Sequence, residues 1–275
     1  MSDKNLVLYH YPCQDGFTAA WVVWKAHPDW EFYPAKHGEP PPDVTGRDVY
    51  FVDFSYKRPV ILEMASKANG IIILDHHKTA EADLVNLPEN VTVVFDMNKS
   101  GSHLAWNHFH PDPVPSIIRI VEDRDLWRFK LPDTKAISAF LFSQPYDFET
   151  WSIYAKMLED KYDREEIEGY GNVLLQKQAK DVDELLQNKF MLSIGGHLVP
   201  VANLPYTFSS DAGHILAQGQ PFAATFYLDG TSAVFSLRSA EDGVDVSEIA
   251  RVYGGGGHKH AAGFKVPYHF IREGL

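Results

Sequence analysis

Asp75-His76-His77 stands directly after the apolar run Gly70-Ile71-Ile72-Ile73-Leu74, and imidazole beside carboxylate is a common donor set for a divalent cation. Groups of the same chemistry recur along the chain. His10, Cys13 and Asp15 follow Leu6-Val7-Leu8-Tyr9, Asp53 follows Val49-Tyr50-Phe51-Val52, and Glu122-Asp123-Arg124-Asp125 follows an apolar stretch. Several carboxylates in one place repel one another unless cations neutralise them. Two divalent cations about 3.5–4 Å apart, sharing a carboxylate, would do so and would support in-line attack on phosphorus. Plainer roles exist for each residue. Asp53 could cap a helix, and Asp125 with Arg124 could form a surface ion pair. Asp75 could orient a ligating imidazole without touching a cation, and Cys13 could be a small buried thiol.

These groups converge only if the elements before them share an edge. Leu6–Tyr9, Val49–Val52, Ile71–Leu74 and Val91–Phe95 read as strands, with helical patterns over 16–24, 58–69, 100–109 and 116–122. A βαβα order predicts a mainly parallel sheet covered by helices on both faces. Open α/β sheets gather ligand groups at the carboxyl ends of their strands. From about Tyr146 to Lys189 the chain becomes charged and helical. Short strands and turns follow, with Asp229-Gly230 a hairpin signal. The expected organisation is an α/β chain: a catalytic domain over 1–145, a helical linker over 146–189, and a smaller α/β domain over 190–275.

Composition narrows the function. With 275 residues, 45% hydrophobic and 23% charged, the chain has the length and content for more than one packed core. No run of about 18 apolar residues predicts a membrane span. The start, Met-Ser-Asp-Lys-Asn, has no signal-peptide core, and a lone cysteine excludes an intrachain disulfide; both fit a cytoplasmic protein. A net charge of −12 argues against tracking long nucleic acid, which needs a basic stripe. A short phosphate ligand held through local cations remains compatible with that charge.

Taken together, the motifs resemble those of the DHH phosphoesterase superfamily. His10-Tyr11-Pro12-Cys13-Gln14-Asp15-Gly16 is similar to its first motif, Val52-Asp53 to the second, Asp75-His76-His77 to the third and Glu122-Asp123-Arg124-Asp125 to the fourth. The resemblance implies two divalent cations, manganese first, with magnesium, iron, cobalt and zinc as alternatives. It places His10 on one cation and Asp15 on the other, with Asp53 bridging and His76 and Asp123 completing the second position. Asp75 would support an imidazole, and His77 would face the substrate phosphate. The chain departs from the motif at Cys13, which stands where a carboxylate is expected. A thiolate is the softer ligand and favours zinc or iron over magnesium.

A second signal lies late in the chain: Gly254-Gly255-Gly256-Gly257-His258-Lys259-His260-Ala261-Ala262-Gly263-Phe264. Consecutive glycines let backbone N–H groups crowd an anion, and a helix following them would add its positive end. The segment resembles the glycine-rich motif of the DHH-associated domain, and Phe235-Ser236-Leu237-Arg238-Ser239 resembles that domain's arginine-bearing strand. That resemblance implies Gly255, Gly256, Gly257, His258 and Arg238 as substrate contacts. The expected activity is metal-dependent hydrolysis of short oligonucleotides, or linear or cyclic dinucleotides, to nucleoside 5′-monophosphates. His77, Asp75 and Arg238 would assist. A phosphatase for 3′-phosphoadenosine 5′-phosphate-like nucleotides and a non-catalytic nucleotide binder are the alternatives.

Overall fold

The computed structural model describes residues 5–273, so Met1–Lys4, on which the leader reading partly rested, lie outside the described residues. The chain divides into two compact units, one up to Leu175 and one from Gln176. Among the described residues no helix is long and apolar enough to cross a membrane.

The first unit is built on a five-stranded parallel sheet with strands β1 (Leu6–His10), β2 (Glu31–Ala35), β3 (Asp48–Val52), β4 (Gly70–Asp75) and β5 (Val91–Phe95). Their order is β2-β1-β3-β4-β5. Side chains alternate between faces with period two. Leu6 and Leu8 pack with Phe51, Ile71 and Ile73 on one face, against Ile61 and Met64 of α2 (Arg58–Ala65). Val7, Tyr9, Val52 and Leu74 pack on the other face, with α1 (Gln14–Ala26), α4 (Gly101–Phe109) and α5 (Ser116–Asp125). Both faces are thus covered, which is why these strands read as apolar runs rather than alternating ones. α3 (Lys78–Asp83) follows β4 directly. α6 (Thr134–Phe142), α7 (Phe148–Met157) and α8 (Lys161–Leu186) complete the helices before the second sheet.

This strand order fixes where a ligand can sit. From β1 the chain moves one way to β2 and then back across to β3, so the connections leave β1 and β3 in opposite directions. A crevice opens at the carboxyl ends of that pair. His10 ends β1 and Asp53 follows β3.

The second unit holds a six-stranded sheet ordered β10-β11-β9-β8-β7-β6. Its strands are β6 (Phe190–Ile194), β7 (His197–Asn203), β8 (Ala223–Asp229), β9 (Ser232–Arg238), β10 (Gly256–His258) and β11 (Ala261–Pro267). α9 (Ser209–Leu216) carries the crossover between the parallel pair β7 and β8, and α10 (Val246–Val252) precedes the glycine run. Phe222, Phe226, Phe235, Leu237 and Phe264 form its core.

Two elements differ from the sequence expectation. β2 carries Glu31 and Pro34, which mask its strand character, and an edge strand tolerates both. The glycine run does not open a helix. It enters the hairpin β10–β11, pairing Gly256 with Gly263, Gly257 with Ala262 and His258 with Ala261. A Cβ at Gly255 would lie 2.0 Å from the Gly263 carbonyl oxygen, and one at Gly257 would lie 2.6 Å from that of Ala261. Close approach of two strands therefore requires these glycines.

Candidate metal centre

Asp53 is the hub of the crevice. It is 1% exposed, and its backbone turns through φ 56°, a left-handed conformation that swings the carboxylate back under the strand ends. Its two oxygens face different neighbours. Oδ2 lies 3.5 Å from His10 Nδ1 and 3.6 Å from Cys13 Sγ, while Oδ1 lies 3.0 Å from His76 Nε2. His76 Nε2 is also 3.8 Å from Asp15 Oδ2 and 3.6 Å from Asp125 Oδ2. Donor atoms of His10, Cys13 and Asp53 all lie within 4.8 Å of one another, as do those of Asp15, Asp53 and His76. One carboxylate thus separates two donor groups.

Each side chain is held there by a nameable device. α1 starts immediately after Cys13, so Cys13, Gln14 and Asp15 leave β1 at the crevice. Asp15, 1% exposed, accepts from the N terminus of α4: Gly101 N–H at 2.6 Å, Ser102 N–H at 3.1 Å and Ser102 Oγ at 2.5 Å. Gly101 allows this contact, because a Cβ there would stand 2.4 Å from Asp53 Cβ. Asp75, also 1% exposed, accepts from the backbone N–H of His76 at 2.7 Å, and its Oδ1 lies 2.7 Å from His77 Nδ1. The imidazole that Asp75 orients is therefore that of His77. His77 holds the N-cap position of α3 without a side-chain cap bond, so its ring is committed to Asp75 and not to the helix. His37 sits at the same rim, its ring centroid 5.5 Å from that of His10 and 4.7 Å from Phe54. No motif marks it in the sequence.

The fourth motif needs a correction. Asp123 was expected beside His76, but its carboxylate accepts from the N–H groups of Lys130 (2.8 Å) and Leu131 (3.0 Å) and from Thr134 Oγ1 (2.5 Å). It folds the chain after α5 around itself, with Trp127 and Phe129 at φ 54° and 48°. Residues two apart on a helix point about 200° apart, so Asp123 and Asp125 cannot serve the same face. Asp125 is the one that faces His76. Glu122 looks elsewhere again, accepting from Ser100 N–H and lying 2.6 Å from His103 Nδ1.

Electrostatics describe a site short of positive charge. Burial, then the charges of Asp53 and Asp125, push the Asp15 carboxyl well above the usual carboxylate range. Burial alone would raise Asp53 too, but the His10 and His76 imidazoles outweigh it and hold Asp53 well below that range. Burial lowers His76, and the opposing pull of Asp53, Asp125 and Asp15 wins, taking it up to about 10. The Cys13 thiol is pushed up by burial and then by the same three carboxylates. Burial opposes charge on Asp75 and His77 alike; their mutual attraction outweighs it, holding Asp75 low and His77 high. His10 Nδ1 is buried without a hydrogen-bond partner. Crowded buried carboxylates, an unpartnered imidazole nitrogen and neutral thiol together fit divalent cations on either side of Asp53.

In the second unit, Arg238 ends β9 and donates to Ser210 Oγ at 2.9 Å and to the Leu237 carbonyl at 2.8 Å. Gly213 of α9 leaves room for its stem, since a Cβ there would lie 2.7 Å from Arg238 Cγ. Arg238 pairs with Ala261, which pairs with His258. Arg238 and His258 therefore share one face of the sheet two strands apart, roughly 10 Å by strand spacing. His260, in the hairpin turn, has its Nδ1 2.9 Å from Ser239 Oγ.

A parallel sheet with a carboxylate–histidine rim, followed by a separate sheet unit with an arginine strand and a glycine hairpin, defines the class. Residues 212–273 match the DHHA1 domain. Over 94% of its length the chain is 32% identical to uncharacterized protein R106 of Acanthamoeba polyphaga mimivirus. Over 74% it is 26% identical to oligoribonuclease NrnB of Bacillus subtilis strain 168. It spans 66% and 55% of those two relatives. Its fold matches RecJ in complex with Mn2+ from Thermus thermophilus with a TM-score of 0.54 at 14% identity, covering 98% of this chain and 50% of that one. The DHHA1 match and the likeness to NrnB support a place for the chain in the DHH superfamily of phosphoesterases.

Proposed function

We propose that this protein is a metal-dependent phosphodiesterase that hydrolyses short oligonucleotides, or linear or cyclic dinucleotides, to nucleoside 5′-monophosphates. The observation that carries this reading is the division of the Asp53 carboxylate between two donor groups. His10 with Asp53 Oδ2 would hold one cation. Asp53 Oδ1, His76, Asp15 and Asp125 would hold the other, Asp125 taking the place first given to Asp123. Mn2+ suits these largely oxygen and imidazole donors, with Mg2+, Fe2+, Co2+ and Zn2+ as alternatives. Bound cations supply Lewis-acid polarisation of the phosphate and a lowered pKa for water.

The chain's own groups do the rest. His77, fixed by Asp75 through Nδ1, would turn its ring toward a phosphoryl oxygen, and the Asp75 carboxylate, outweighing burial, raises its pKa. Arg238, already held by Ser210 and Leu237, would meet a phosphate with a preset fork, which suits bidentate binding. His258 and the backbone of Gly255, Gly256 and Gly257 would hold the terminal nucleotide. Residues 146–189 would serve as the linker between a catalytic domain over 1–145 and a substrate-binding domain over 190–275. The acidic balance supports a short substrate over long nucleic acid, and NrnB, an oligoribonuclease by name, supports the oligonucleotide class. The single cysteine supports cytoplasmic residence.

The test is turnover of metal-free protein reloaded with Mn2+, Mg2+, Co2+ or Zn2+. Substrates are di- to pentanucleotides, cyclic dinucleotides and 3′-phosphoadenosine 5′-phosphate. Mononucleotide release from the first two groups is expected. Binding without hydrolysis under every metal would overturn the proposal, and faster turnover of the bisphosphate would replace it with a phosphatase.

A further inference from the structure

We propose that Cys13 is a metal ligand, so that the position on the Oδ2 side of Asp53 is a nitrogen–sulfur–oxygen site selective for Zn2+, Fe2+ or Co2+ over Mg2+. This inference rests on the dinuclear reading above and deepens it. Three observations carry it. Cys13 Sγ lies 3.6 Å from Asp53 Oδ2, the same oxygen that His10 Nδ1 approaches at 3.5 Å. The three donor atoms lie within 4.8 Å of one another, a spread that one cation can gather with small side-chain rotations. His10 Nδ1 is also buried and, beyond its 3.5 Å approach to Asp53 Oδ2, makes no hydrogen bond, so the imidazole turns a ring nitrogen toward the same oxygen as the thiol.

The sulfur could instead have turned into the core behind α1, as an inert thiol would. It faces the carboxylate. The opposite side of Asp53 has only imidazole and carboxylate donors, so the two positions differ in softness while sharing a bridge. Thiolate ligation selects zinc and iron, whereas oxygen-rich sites suit manganese and magnesium. A mixed-metal centre follows, with the softer cation beside His10 and the harder one beside His76. On ligation the S–H proton leaves to solvent as the sulfur–metal bond forms, so charge balances within the site.

Cobalt is the probe, because a thiolate bound to Co2+ gives a near-ultraviolet charge-transfer band that imidazole and carboxylate ligands do not. Full-length metal-free protein is titrated anaerobically with Co2+. The expected result is that band, saturating with one equivalent, alongside visible d–d absorption. Since the chain has one cysteine, no other residue can produce it. Cys13→Ser and Cys13→Asp should both lose the band yet retain d–d absorption from the second position. Cys13→Asp should also shift competition at the first position from Zn2+ toward Mn2+. Bound Co2+ with d–d absorption alone in the unmodified protein would overturn thiolate ligation and leave the dinuclear reading standing. No Co2+ binding at all would overturn both.

Discussion

Gly101→Ala tests how the centre is assembled. A Cβ at position 101 would stand 2.4 Å from Asp53 Cβ, 2.8 Å from its Cα and 2.9 Å from its Oδ1. Carbon atoms in contact prefer about 3.5–4.0 Å, so the first turn of α4 must retreat by about 1 Å. Gly101 N–H and Ser102 are the donors that hold Asp15, at 2.5 to 3.1 Å, and that retreat takes them beyond hydrogen-bonding range. Overpacking of this kind costs about 1–3 kcal/mol, and loosening the bonds to a buried carboxylate adds about 1.5–3 kcal/mol. The expected loss is thus about 2.5–6 kcal/mol, a large share of the ~5–15 kcal/mol that stabilises an ordinary domain. Mn2+ affinity should fall with it, because Asp15 is released. Gly169→Ala in α8 is the control. Nothing lies within 4 Å of a Cβ there, so the same substitution should stabilise by about 0.5–1 kcal/mol through helix propensity. Urea unfolding in chelator and calorimetric Mn2+ titration read both effects. If Gly101→Ala unfolds within about 0.5 kcal/mol of the parent and binds Mn2+ equally well, the argument that α4 seats Asp15 is wrong.

The two acids of the fourth motif should separate cleanly. Asp125→Asn is expected to weaken Mn2+ binding with little change in metal-free stability. Asp123→Ala should instead destabilise by about 2–4 kcal/mol by stranding the donors it satisfies, with metal affinity per folded molecule kept; the reverse pattern would restore Asp123 as the ligand. In metal-free protein the raised His76 contributes stability fully below the unfolded histidine pKa of about 6.5, and that contribution is lost as pH rises through about 10. Melting temperature in chelator should therefore fall between pH 7 and 10, less so in His76→Asn; equal slopes in both proteins would count against it. Arg238→Lys should weaken binding of a nucleoside monophosphate roughly 10-fold to 100-fold, the value of one charged hydrogen bond, and equal dissociation constants would remove Arg238 from the substrate contacts.

The parallel sheet was legible because buried strands advertise themselves as unbroken apolar runs, and the rim followed because parallel strands end on one side. That is why His10, Asp15, Asp53 and His76, spread over 67 residues of chain, could be named together (10 to 76 inclusive). What could not be read was rotational phase. Asp123 and Asp125 differ only in which way a helix end turns, and the left-handed residues Trp127 and Phe129 that commit Asp123 elsewhere have no local signature. The glycine run was ambiguous for a related reason. Glycine permits both an anion nest and a tight strand pair, and the partner that decides, Ala261–Gly263, lies beyond the run itself. His37 reaches the rim from a loop, so no periodicity announces it. The glycine at 101 was invisible as a site residue because its contribution is the side chain it lacks.

The left-handed backbone of Asp53 bears on how such a centre could be lost. Few residues accept φ 56°; glycine does so freely, and asparagine and aspartate do so more readily than others. Of these only aspartate carries the charge that would bridge two cations. A drift to asparagine or glycine would keep the chain path and relieve repulsion among Asp15, Asp53 and Asp125, while giving up the pairing of Asp53 with His10 and His76. Backbone conformation alone therefore does not hold the charge here. Under the proposed function the bridging charge is what aspartate alone supplies, and a lineage that no longer needed the reaction would be expected to shed Asp53 before it shed the fold.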